Sequence, residues 1–270
     1  MSISSKEAET EKERFIRRHL GKTGFVVGLL VIFASVYSQY VIPSLNLVSG
    51  TLLVYGLPIL VTGLIWGRTI ISKAFKHTYT ALRYGLGYFG VFTILGLFAG
   101  FLIVFLLTFF DPAAINLLNK PNPVLQVSPE LAEFMIGFSF LVVGPSEEYL
   151  FRGFVFGGLL NIFKGRHWLV LAFVASIFFA GVHLYYAVVY GVASLVLFVD
   201  LMTFGMAMAA TYYVSGGNLL VPAMIHGAYD ATGYLSVATS SDIGAQLREL
   251  MILIGLIIAV FIFSRRKEGL

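Results

Sequence analysis

The chain has 270 residues, of which 58% are hydrophobic and only 12% charged, and its mean hydropathy of +0.88 excludes an ordinary soluble domain. It has no cysteine, so disulfides and thiolate metal sites are excluded. The net charge of +4 is accounted for by basic loops meeting anionic lipid headgroups, and no nucleic-acid partner is expected.

Residues 1–22 form a charged arm in which Lys6, Lys12, Arg14, Arg17, Arg18 and Lys22 are mixed with Glu7, Glu9, Glu11 and Glu13. This pattern predicts a solvated helix at the membrane surface. A helix needs roughly 20 apolar residues to cross hydrocarbon. Eight stretches are candidates: 23–42, 49–67, 84–110, 131–162, 168–189, 191–213, 219–237 and 247–264. The first has no A-x-A-like site after it and is expected to stay as an anchor. The connection 111–130 carries Pro112, Pro121, Pro123 and Pro129 and is expected to be a loop or a structured cap. The fourth stretch is too long for one straight crossing, and Gly144-Pro145 is the expected kink because proline lacks the donor that continues the ladder. The boundary between the fifth and sixth stretches is placed at Tyr190-Gly191. A basic tail, 265–270, follows the last one.

With eight spans, all of the 18 Lys and Arg residues except Lys120, Arg152 and Arg248 fall on one side of the membrane. The positive-inside rule then puts both termini in the cytosol. The expected architecture is an all-α polytopic protein, one membrane domain over 23–264, with about eight transmembrane helices around a polar cavity. No internal repeat is evident, which argues against a transporter made of inverted halves.

Against this apolar background, Glu147-Glu148-Tyr149-Leu150-Phe151-Arg152 stands out, because its flanks 134–145 and 154–163 carry no charge. Intramembrane acids are costly and mark candidate functional sites. Glu148 and Arg152 are four apart on one helical stripe and are expected to form an ion pair. Glu147 is rotated by about 100° from that stripe and is the expected general base that takes a proton from water. Two further clusters are Phe179-Ala-Gly-Val-His183 and His226-Gly-Ala-Tyr-Asp230. His226 and Asp230 again share a face, so one imidazole could orient water beside Glu147 and another group could stabilise an oxyanion.

Glu147, His183, His226 and Asp230 could alternatively hold zinc, although neither a His-Glu-x-x-His helix nor a cysteine is present. No serine-nucleophile box surrounds Ser146, and Asp200 and Asp230 lack an aspartyl-protease context. Asp200 is a candidate for lining the cavity or bonding across helices. Asn218, after Gly216-Gly217, is expected to cap the seventh helix and is a further cavity candidate. One geometric tension remains: at about 1.5 Å per residue, Glu147 and His183 lie roughly 25 Å from the inner ends of their helices and His226 roughly 12 Å. They can meet only if helices break, and Gly144-Pro145 and Gly216-Gly217 are where breaks are expected.

The ordered motifs Glu-Glu-x-x-x-Arg, Phe-x-x-x-His and His-x-x-x-Asp, here Glu147, Glu148, Arg152, Phe179, His183, His226 and Asp230, resemble the CPBP (Abi) family of intramembrane proteases. That family includes the type II CAAX prenyl endopeptidases, and the likeness covers about 131–237. The resemblance implies a helical membrane protease with a cavity open to the cytosol and a hydrophobic or lipid-modified peptide substrate. It implies that Glu147 activates water, His183 helps position it, and His226 with residue 230 stabilises the oxyanion. The implied mechanism needs no cofactor, with zinc as the alternative. Position 230 departs from the CAAX-processing branch, which usually has asparagine there. An ionised aspartate cannot donate to an oxyanion, so Asp230 is protonated, orients His226 or binds a metal. The competing readings are a bacteriocin-immunity or assembly scaffold on the same framework, and a transporter using Asp200 and the other buried acids.

Overall fold

A computed structural model describes residues 11–42 and 45–265, and no strand occurs among them. The arm before residue 11 and the basic tail after 265 lie outside the described residues. Contacts divide the chain into two compact units, Met1–Gly67 and Arg68–Leu270. In the first, α1 (Glu11–Ser38) packs on residues 57–62 of α2 (Leu47–Ile71), and the rings of Phe25 and Trp66 stack with centroids 6.0 Å apart. Asn46 starts α2 with a reciprocal cap, its side chain accepting from the Ser49 N–H while the Ser49 hydroxyl accepts from its own.

The second unit contains α3 (Thr78–Phe110), α4 (Pro129–Ile162), α5 (Trp168–Gly181), α6 (Tyr186–Val214), α7 (Leu220–Thr239) and α8 (Ile243–Arg265). Helix α3 packs along α6 and α8, α5 lies against α6, and α7 is held between α4 and α8. Each of the eight predicted stretches therefore contains a helix. Length and hydropathy alone support five crossings, or six if the pair 112–125 and α4, bent by 77°, counts as one. The protein is multi-pass on either count.

The differences from eight straight spans have local causes. The fifth stretch stops at Gly181, and its 14 residues are too few to cross hydrocarbon. The break before α6 lies at residues 182–185 instead of Tyr190-Gly191, because successive tight turns (His183 N–H to Ala180 O at 3.0 Å, Tyr186 N–H to His183 O at 3.1 Å) interrupt the helix. A bend survives at the predicted place, where Gly191 has φ of +54° and a short 3₁₀ turn follows. Helix α7 is 20 residues long, but His226, Asp230 and several Gly, Ser and Thr residues dilute its hydropathy.

Helix α4 does not end at Gly144-Pro145. Wide π-type turns at Ser139–Val143 and Tyr149–Phe156 flank a normal turn over Gly144–Glu148. Pro145 cannot donate to the carbonyl one turn back, and widened turns are a common way to absorb such a defect near functional groups. The second expected break does occur: Gly216 and Gly217 have φ of +68° and +108°, a region natural to glycine. Asn218, fully buried, then accepts from the Val221 N–H at 3.0 Å and donates to Lys76 O at 2.7 Å and Thr78 Oγ1 at 3.2 Å. Asn218, one residue before the N-cap Leu219, thus satisfies a first-turn N–H of α7 and also ties the helix to the turn before α3.

What positions the site is the contact between α4 and α7. A Cβ on Gly144 would stand 2.5 Å from Ala223 O, and one on Gly227 would stand 2.8 Å from both Phe140 Cα and Ser139 O. The two backbones touch because both residues lack a side chain, the small-residue packing usual between membrane helices. Gly144 precedes Glu147 by three residues and Gly227 directly follows His226. The close approach therefore brings acid and imidazole together.

Candidate active site

The turn Gly144–Glu148 leaves both carboxylates buried, Glu147 at 9% and Glu148 at 0% relative exposure, and Arg152 follows at 2%. Arg152 Nη1 lies 2.8 Å from Glu148 Oε1, the expected i,i+4 ion pair. The flat face of the guanidinium rests on the Phe179 ring, 4.4 Å from its centroid, with Phe204 at 6.0 Å. An arginine stacked on aromatics is held in one orientation.

The same Glu148 oxygen accepts a second bond. His226 Nδ1 is 2.7 Å from Glu148 Oε1. A carboxylate paired with guanidinium only accepts, so Nδ1 carries the proton and donates it. This fixes the ring plane and turns Nε2 toward the remaining acids, with Glu147 Oε2 at 3.7 Å and Asp230 Oδ2 at 3.6 Å. The ring is also walled by aromatics, with Phe204 at 4.9 Å and Phe179 at 5.9 Å between centroids, both edge-on. Sequence spacing had paired Glu148 with Arg152 alone. Its contact with His226, 78 positions away, carries no signal in the sequence.

Phe179 is the common wall of the site. It packs edge-on to Phe151 at 5.2 Å, faces Phe204 at 6.1 Å, and touches the His183 ring at 5.1 Å. His183 sits in the turn just beyond α5, where its Nδ1 pairs with Phe179 O at 2.9 Å and its Nε2 is left pointing away from that bond. Both imidazoles thus flank one ring. The depth mismatch from straight-helix counting disappears for Glu147 and His226, which stand 3.7 Å apart. Helix α5 ends early, α4 is widened on either side of the acids, and α7 starts at the Gly216-Gly217 break.

Asp230 is more open than Glu147, its side chain 30% exposed against 11%. A substrate carbonyl arriving from that side would meet Nε2 and the two flanking carboxylates. Asp200 is not part of this group: its Oδ2 accepts from the Tyr229 hydroxyl at 3.3 Å. Asn218 has its polar atoms engaged at the α7 joint described above. Phe204, absent from the sequence reading, packs on His226, Phe179 and Tyr229. In a helix rich in apolar residues, nothing distinguished it.

The four residues weighed as zinc ligands do not form a cage. No group of three or more His, Asp or Glu side chains among the described residues is arranged to hold a metal ion. Nδ1 of His226 is held by Glu148 and Nδ1 of His183 by a carbonyl, which leaves Nε2 as the free donor atom of each ring. No chemical step below passes through a metal.

Residues 129–232 match the family described as type II CAAX prenyl endopeptidase Rce1-like. Neither a curated protein nor a solved structure matches the chain. The matched span runs from the start of α4 through most of α7 and includes Glu147, Glu148, Arg152, Phe179, His183, His226 and Asp230. The segment that builds this buried cluster is therefore similar to type II CAAX prenyl endopeptidase Rce1-like domains, and it is carried by a multi-pass membrane protein.

Proposed function

We propose that the protein is an intramembrane endopeptidase in which Glu147 activates the attacking water. Water held between Glu147 and His183 gives its proton to the Glu147 carboxylate as its oxygen adds to the scissile carbonyl. His226 works as an imidazolium, its Nδ1–H remaining on Glu148 and its second proton kept on Nε2 by the flanking carboxylates. The tetrahedral oxyanion accepts a hydrogen bond from that Nε2–H. Asp230, at the open edge, holds that Nε2 in register. On collapse, the proton taken by Glu147 passes to the leaving nitrogen, giving a carboxylic acid and an amine.

The observation that carries this reading is the position of His226: one nitrogen is fixed by Glu148 and the other is directed at Glu147 and Asp230. The reaction needs no metal. Substrates are hydrophobic or lipid-modified peptides that reach the site from the cytosolic face, with CAAX-type C-termini the first class to test. Both chain termini lie in the cytosol. Membrane lipids surround the exposed apolar faces of the helices.

The test is cleavage of a farnesylated peptide ending in a CAAX sequence by purified protein in detergent. Glu147→Gln keeps size and hydrogen-bonding capacity but removes the base, and turnover is expected to fall by at least about 100-fold with unchanged thermal unfolding. Full turnover by Glu147→Gln would refute the assignment. A folded variant that keeps a cellular phenotype would instead favour the non-proteolytic scaffold.

A further inference from the structure

A second polar cluster shares the Phe204 ring with His226. The Tyr229 ring packs on Phe204 at 5.3 Å and edge-on to Phe89 of α3 at 6.0 Å. Its hydroxyl donates to Asp200 of α6 at 3.3 Å. From the other side, the Arg248 guanidinium of α8 stands 4.7 Å over the same ring, and its Nε donates to Thr232 Oγ1 at 3.0 Å. An acid and an arginine from two different helices thus grip α7 at the residue directly before Asp230. Arg248 and Phe89 lie outside the matched span 129–232.

None of these groups touches the reacting atoms, yet Asp200 is an acid within an apolar helix, where a charge is too costly to be incidental. Asp200 is the acid on which a transport reading depends, and here it is engaged with Tyr229 instead of lining a pathway. Rotation of α7 about its axis would break both the Tyr229–Asp200 bond and the Arg248–Thr232 bond. The same rotation would swing Asp230 and Nε2 of His226 away from Glu147.

We propose that Tyr229 is a positioning residue: with Asp200 and Arg248 it locks the rotation of α7, and so holds His226 and Asp230 against Glu147. This inference rests on the hydrolytic reading of Glu147 and His226. It extends the working machinery to α3, α6 and α8, beyond the groups that meet substrate.

The experiment combines ¹⁵N-histidine NMR of the full chain in micelles with cleavage of the farnesylated peptide. His226 is assigned from the signal lost in His226→Gln. Tyr229→Phe keeps the ring and removes the hydroxyl, so kcat is expected to fall about fivefold to tenfold with KM unchanged. The His226 ring nitrogens shift while those of His77 and His167 stay in place. Asp200→Asn, which keeps an acceptor for the hydroxyl, retains more kcat than Asp200→Ala. The proposal is overturned if the His226 signals stay in place and kcat remains within about twofold of the parent in both Tyr229→Phe and Asp200→Ala. Undiminished cleavage by Glu147→Gln defeats the hydrolytic assignment instead, and the NMR comparison still judges the lock separately.

Discussion

Replacing Gly227 with alanine should disable the site without touching any group that does chemistry. The new Cβ would lie 2.8 Å from Phe140 Cα and 2.8 Å from Ser139 O, both backbone atoms that cannot swing aside. Carbon atoms in contact settle at about 3.5–4.0 Å, so α7 would have to retreat from α4 by about 0.7–1.2 Å. Overpacking of this kind costs about 1–3 kcal/mol, which lowers the melting temperature without abolishing the fold. The cost in rate is larger. A misplacement near 1 Å between reacting groups is worth about 100-fold, and His226 is the neighbouring residue. The assay is kcat for the farnesylated peptide together with thermal unfolding in the same detergent. Gly137→Ala on α4 is the control, since nothing lies within 4 Å of its new methyl. It should be neutral or slightly stabilising, by up to about 1 kcal/mol. If Gly227→Ala turns over as fast as Gly137→Ala, the close contact of α4 and α7 does not set the spacing of the site.

Other outcomes follow from the same contacts. Glu148→Ala leaves Arg152, 2% exposed, without its counter-charge and His226 Nδ1 without its acceptor. A loss of about 3–5 kcal/mol in unfolding free energy is expected, with a smaller loss for Glu148→Gln, and equal stabilities would show that the charge is unimportant. Asn218→Ala removes the acceptor of a first-turn N–H of α7 and two cross-links to the turn at Lys76 and Thr78, and should destabilise by about 1–3 kcal/mol. Hydrogen exchange should rise first at the start of α7, and uniform protection would contradict the tether. Turnover should survive exhaustive treatment with a zinc chelator, measured on the same peptide. Activity lost to the chelator and restored by zinc would show that the donor groups rearrange into a metal site.

Much of this protein is written in local spacing. Apolar runs interrupted by basic loops identify a multi-pass helical membrane chain, because a backbone in lipid must satisfy its own polar groups and the helix does so within one segment. The pairs Glu148–Arg152 and His226–Asp230 are legible for the same reason: four residues make about one turn, whatever the helix packs against. The bond from Asn218 to the first turn of α7 and the break at Gly216-Gly217 are equally local, since each depends on one residue's own backbone or side chain. Tertiary structure decided the rest. Glu148 serves His226 as well as Arg152, α5 stops at Gly181, and Tyr229 stands between Asp200 and Arg248, none of which any spacing announces. Those relations depend on how far and at what height one helix slides along another. That register is set by where two glycines allow backbones to touch and where a proline forces turns to widen, and both are properties of the packed pair of helices.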